Sequence, residues 1–240
     1  MRKLLLILVL LKGIAINAQT IKLDKKRTVE IIGSIGFNII ESAKKLNKLS
    51  LENKKDIFLL INSPGGSVAT GTIFISAMTM AKERGVKVKC VVPVYAASMA
   101  FSIMLNCSEN YVLAGTQLLF HPVRIGLMAY LTAYDAKKIY DNLLSFDIPL
   151  LELLYKTFQA DTNEMKEKIN IAFVEEKWWN ADELLEFINN KSFITIVNNI
   201  EGNDNIFELE SDKDKMRRKE LEQSFDVIYI APTLPREGVN

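Results

Sequence analysis

Few side chains in this sequence can carry out chemistry at neutral pH. There is one histidine, His121, among 240 residues, and there are two cysteines, Cys90 and Cys107. One imidazole excludes any site that needs two from the same chain, and two thiols cannot build a four-thiolate zinc centre. Ser98 lies twenty-three positions before the histidine, in the small-residue run Ala96-Ala97-Ser98-Met99-Ala100. A serine is a weak nucleophile until a base removes its proton, and the usual base is a histidine oriented by a carboxylate. Small neighbours leave room for a carbonyl to reach the Ser98 oxygen, and a helix starting just after it would offer N–H donors to a developing oxyanion. The same serine also reads as a plain helix N-cap. The turn Pro64-Gly65-Gly66-Ser67 has the same ambiguity. Paired glycines can present unobstructed N–H groups to an anion, or can simply connect a strand to a helix. No lysine follows Gly66 as a Walker loop would require.

The elements that must position these groups follow from periodicity. Thr28–Ile35 and Asp56–Ile61 are strand-like, and the second is a nearly continuous apolar run, as in a strand covered on both faces. Helical spacing runs through residues 38–49 and 67–84, with Gly85 ending the second helix. Val86–Val94 reads as the next strand and Ala97–Leu105 as a short buried helix. Tyr111–Phe120 reads as one strand delivering His121. Strands and helices in alternation predict a single α/β domain over residues 19–195. There are no internal repeats.

In this order the segments resemble the proteolytic subunit of the Clp protease (ClpP), a family of serine peptidases on a crotonase-like fold. Asp56 to Val68 (DIFLLINSPGGSV) is similar to its signature strand and glycine turn, Ala96-Ala97-Ser98-Met99 to its nucleophile segment, and Leu118-Leu119-Phe120-His121 to its histidine strand. The resemblance spans about residues 27–190. It implies a spiral of βαβ units with a helical handle region and, here, a C-terminal extension over 196–240. It also implies Ser98 as nucleophile, His121 as general base, and the N–H groups of Gly66 and Met99 as oxyanion hole. The acid falls on Glu176, two residues before Trp178, with Glu175 and Asp161 as competitors. Implied partners are an unfolded or short peptide substrate and copies of the chain in a ring, heptameric in the first instance. No metal, organic cofactor or nucleic acid is implied.

The chain departs from the family pattern in several places. Ala100 replaces a glycine, and Pro122-Val123-Arg124-Ile125-Gly126 replaces the usual stretch after the histidine. Ile139, Leu143, Phe146, Leu150 and Leu154 recur at helical spacing in the handle region, yet Pro149 falls among them and predicts a kink or restart. These departures keep a catalytically silent ring or scaffold subunit open as an alternative. An acyl-thioester enzyme of the crotonase-like fold is the other alternative, although such enzymes do not need a Ser-His pair.

Residues 1–18 read as an export signal, with basic Arg2 and Lys3, an apolar run Leu4–Leu11 and a small-residue site ending at Ala18. Removing them takes away Arg2, Lys3 and Lys12 and no acid, so the formal charge changes from +1 to −2. Export predicts a periplasmic or secreted protein that a cytosolic ATP-driven unfoldase cannot feed; a cytoplasmic location is the alternative. It would also allow Cys90 and Cys107 to oxidise, while two buried free thiols are the other reading. In the C-terminal extension, residues 208–223 read as a solvated helix and Phe225–Ile230 as strand-like.

Overall fold

The computed structural model describes residues 19–208 apart from Met128, so the predicted leader, the charged helix after residue 208 and the strand-like Phe225–Ile230 lie outside the described residues. In chain order the elements are β1 (Thr20–Lys22), β2 (Thr28–Ile32), α1 (Ile39–Glu52), β3 (Ile57–Asn62), α2 (Val68–Glu83), β4 (Val88–Val92), β5 (Tyr95–Ala97) and α3 (Met99–Met104). They continue with β6 (Glu109–Val112), β7 (Gln117–Leu119), α4 (Ala133–Phe158), α5 (Asn163–Glu175), β8 (Trp178–Trp179), α6 (Ala181–Phe187), β9 (Thr195–Ile196) and β10 (Asn199–Glu201).

Five strands form a parallel sheet in the order β2-β3-β4-β6-β9. Parallel neighbours require crossovers, and α1 and α2 supply the first two. The apolar run of β3 is resolved by its two faces. Ile57, Leu59 and Ile61 join the large core under the helices, while Leu60 belongs to a second cluster with Val91, Leu23, Val197 and Ile200. Both faces are covered, as that run predicts, but the second face is covered by chain segments from the two ends of the domain. There β1 and β10 pair in parallel as a separate two-stranded ribbon. The boundary expected between residues 195 and 196 therefore falls inside β9, and the extension begins as part of the sheet.

A smaller sheet, β5-β7-β8, stands beside the first. The single strand expected over Tyr111–Phe120 is in fact two strands in different sheets. Thr116 explains the break: its hydroxyl donates to the Val92 carbonyl at 2.8 Å and accepts from the Leu113 N–H at 3.0 Å, pinning a turn at Ala114-Gly115. Ala97 likewise belongs to β5, so the short helix begins only at Met99.

The expectation of a restart at Pro149 is also corrected, because α4 runs unbroken for 26 residues with the proline inside it. Proline lacks the N–H that would reach the Ser145 carbonyl. Ser145 is exposed, so water can satisfy the freed group. The helix ends are secured by a Thr132–Asp135 capping box and a left-handed Gln159, and burial of Leu154 and Phe158 anchors the C-terminal part. No helix among the described residues is long and apolar enough to cross a membrane.

Candidate active site

Ser98 and His121 are brought together by strand pairing. β5 and β7 run parallel with Ala97 opposite Leu119. Ser98 follows the end of one strand, its N–H donating to the Leu119 carbonyl at 2.9 Å, and His121 lies two residues past the end of the other. The glycine turn arrives from β3 in the same way. Ser63 bridges to Ala96, with its N–H donating to Tyr95 and its carbonyl accepting from Ala97. Gly66, Val68, Ser98, Met99 and His121 then line one cleft of about 150 Å³.

Ser98 stands at the N-cap position of α3, but its side chain makes no capping bond. Its backbone has φ 55° and ψ −126°, a state serine adopts only under constraint. This geometry resembles a nucleophile elbow, where a sharp strand-to-helix turn projects the hydroxyl away from its own helix.

Both glycines of the turn are needed for packing. A Cβ on Gly65 (φ +94°) would lie 2.5 Å from the Ser98 Cβ and 2.9 Å from the Met99 nitrogen, and one on Gly66 (φ +145°) would lie 2.3 Å from the Ile35 oxygen. The flanking bonds, Ile35 N–H to Gly65 and Ser67 N–H to Ile35, turn the Gly66 N–H to the opposite side. Met99 is the first residue of its helix, where N–H groups have no intrahelical acceptor. Both Gly66 and Met99 line the cleft beside Ser98.

His121 Nδ1 lies 2.6 Å from the Pro122 carbonyl oxygen. A carbonyl can only accept, so Nδ1 is the donor in this contact and Nε2 is the ring nitrogen left for another partner. The segment after the histidine is anchored by Val123, whose N–H donates to Asp147 Oδ1 at 2.7 Å, and by an ion pair of Arg124 with Glu176.

Three carboxylates compete by sequence for the acid position. β8 runs antiparallel to β7 with Leu119 opposite Trp178, so Glu176 and His121 each lie two residues beyond that pair at the same end of the ladder. Glu176 holds a left-handed conformation at the end of α5 (φ 56°). Its carboxylate engages Arg124, while the His121 ring engages Pro122. Glu175 and Asp161 are exposed. Three participants were not found by sequence reasoning. The Pro122 carbonyl and Arg124 have no side-chain signature for their roles, and Asp147 reads as an ordinary polar position of a helix. Among the described residues, no three His, Cys, Asp or Glu side chains gather to hold a metal ion.

Cys90 on β4 and Cys107 after α3 are joined as a disulfide, with Cα atoms 5.9 Å apart. The bond closes a loop that contains Ser98.

Compared with known protein families, residues 13–188 match the family described as Clp protease. Among curated proteins, the ATP-dependent Clp protease proteolytic subunits of Streptococcus thermophilus and Streptococcus salivarius are each 26% identical over 170 residues, and that of Streptococcus pneumoniae is 25% identical. Each alignment covers 69% of this chain and 83% of the relative.

Proposed function

The chain belongs to the Clp protease family, and from that premise we propose that it is a serine endopeptidase acting on unfolded or short polypeptides. The observation that carries this reading is the convergence of Ser98, His121, Gly66 and Met99 on one cleft. In the proposed reaction His121 Nε2 takes the Ser98 proton as the serine oxygen adds to the scissile carbonyl. The oxyanion is received by the Gly66 and Met99 N–H groups. His121 then gives its proton to the departing amine, leaving an acyl-enzyme. Water, deprotonated by the same nitrogen, adds to that ester, and its collapse releases the acid and restores the serine.

Glu176 is the acid we assign to stabilise the imidazolium once its carboxylate leaves Arg124; until then the Pro122 carbonyl fixes the tautomer. An extended peptide would lie as an added strand beside the glycine turn, with a side chain between Val68 and Leu150, which line the same cleft. A ring assembly is supported by the exposed apolar side chains of α4, among them Tyr134, Tyr140, Phe146 and Ile148. The disulfide supports an oxidising compartment, in keeping with the leader-like residues 1–18. In that setting substrates are short or already unfolded, and an ATPase partner of the kind implied by the relatives' names applies only to a cytosolic chain. A catalytically silent ring subunit is the second reading, favoured by the engagement of Glu176 with Arg124.

The test is fluorophosphonate labelling of purified residues 19–240. Labelling that disappears in Ser98→Ala and in His121→Ala is expected. A folded wild type that does not label overturns the peptidase reading in favour of the silent subunit. Native mass spectrometry of the same sample reads the assembly, and a purely monomeric mass overturns the ring. Protein from the producing cell is expected to begin at Gln19; an intact Met1 overturns export by cleavage.

A further inference from the structure

Beyond residue 188, where the family match ends, the chain adds a segment that returns to the active domain. After β10, Gly202 turns with φ +91° so close to the sheet entry that a Cβ there would lie 2.2 Å from the Leu23 oxygen. Asn203 and Asn205 donate to the two carboxylate oxygens of Glu30 at 2.8 and 3.1 Å. Ile206 packs against the cluster on the second face of the sheet.

The segment ends on Asn62, which is fully buried at the last position of β3. The Asn62 amide nitrogen donates to the Ile206 carbonyl at 2.7 Å and the Glu208 carbonyl at 3.1 Å. Its amide oxygen accepts from the Val94 N–H at 3.2 Å. A carboxamide has two N–H donors and one acceptor oxygen, and all three groups are used here. Aspartate could not donate to the two carbonyls, and an apolar residue would lose all three bonds to these partly buried backbone groups. Asn62 therefore joins three chain segments. One runs directly into Ser63-Pro64-Gly65-Gly66, the second runs from Val94 through β5 to Ser98, and the third is the extension.

We propose that Gly202–Glu208 is a strap that holds the catalytic geometry from the far side of the sheet, and that Asn62 is the positioning residue through which it acts. Glycine turn and nucleophile segment meet at the Ser63–Ala96 bridge; the strap holds Asn62, which flanks the first and in turn holds Val94 before the second. Its catalytic consequence rests on the reading of Ser98 as nucleophile; its structural consequence does not.

Two variants of the full chain test the strap. Gly202→Val detaches it at its turn and leaves Asn62 intact, while Asn62→Asp keeps the strap and removes the two donated bonds. Hydrogen exchange followed by mass spectrometry is expected to be about tenfold faster or more in Ser63–Val68 and Tyr95–Met99 for either variant, with α5 and α6 unchanged. The first-order rate at which a fluorophosphonate phosphonylates Ser98, with loss of fluoride, is expected to fall about 10- to 100-fold at nearly unchanged probe affinity. The double variant is expected to be no slower than the worse single one, because both cut the same connection. Unaltered exchange in the two segments of a folded Gly202→Val protein overturns the proposal, as do losses that simply add. If Asn62→Asp does not fold, Gly202→Val decides by the same two readouts. If wild type does not label, the peptidase reading fails, and the exchange measurement still decides whether the strap holds the two segments.

Discussion

Ser98 has a backbone state that on general grounds costs about 1–3 kcal/mol, and the structure around it supplies the constraint. Its N–H is held by Leu119, its carbonyl accepts from the Ser102 N–H, and Gly65 packs where any side chain would collide with it. The residue types at this site were legible because a lone histidine, a serine among small residues and a glycine pair are informative even without structure. Arg124 was legible only as a departure from the family pattern, since the partner of an arginine on a loop depends on register between distant strands. That partner makes a prediction. The pair is open to solvent, with the Arg124 side chain 65% exposed, so breaking it should change stability little. Glu176→Gln is expected to lower the acylation rate by about 10²- to 10⁴-fold, as loss of an orienting carboxylate does. Arg124→Gln, which frees the carboxylate, is expected to raise that rate at unchanged melting temperature. First-order rates of fluorophosphonate labelling of both variants beside their thermal melts check this, and equal rates in Glu176→Gln and wild type would remove Glu176 from the catalytic group.

At the level of elements, the sheet carries its own pH dependence. Lys89 on β4 stands opposite Glu109 on β6. A bond from the Tyr111 hydroxyl at 2.6 Å, helped by Lys89, holds the Glu109 carboxyl below its ordinary value, while the Asp56 carboxylate raises Lys89. A lowered carboxylate pKa gives stability that is full above the unfolded value, about 4.3, and is lost as pH falls through the lower folded value. For Lys89 the raised pKa gives stability that is present below the unfolded value and lost as pH rises through the folded one. Urea unfolding from pH 7 down to pH 3 is expected to show a shallower acid loss in Glu109→Gln than in wild type; equal slopes would remove Glu109 as a contributor. Elements read well from sequence where one signal dominated. The β3 run announced a strand covered on both faces, and the spacing of residues 67–84 announced α2. They read poorly where a local signal was overruled. Thr116 splits an apolar run through hydrogen bonds to a strand more than twenty residues away, and α4 passes through Pro149 with its ends capped and with Ser145, whose carbonyl is freed, at an exposed position.

For the whole molecule, the disulfide and the strap fix parts that the strands alone leave open. The Cys90–Cys107 bond spans 17 positions, and closing a loop of that size stabilises a fold by about 3 kcal/mol. Reduction is expected to lower the melting temperature by roughly 6–12 °C, read by calorimetry with and without reductant. Full alkylation of both thiols in native, unreduced protein would show that the bond is not formed. The strap was not legible in the sequence, because Gly202-Asn203-Asp204-Asn205 has the composition of any solvated turn; its role depends on the buried carboxamide of Asn62 far upstream. The pairing of β1 with β10 has a further consequence in biosynthesis. Thr20 waits for Asn199, so the first strand made has no partner until nearly the whole described chain has been translated. At about 5–20 residues per second, the 85 residues from His121 to Ile206 take roughly 4–17 s to follow. Ser98 and His121 thus exist for seconds before the strap proposed to hold their segments, so the new cleft spends its first seconds without that constraint.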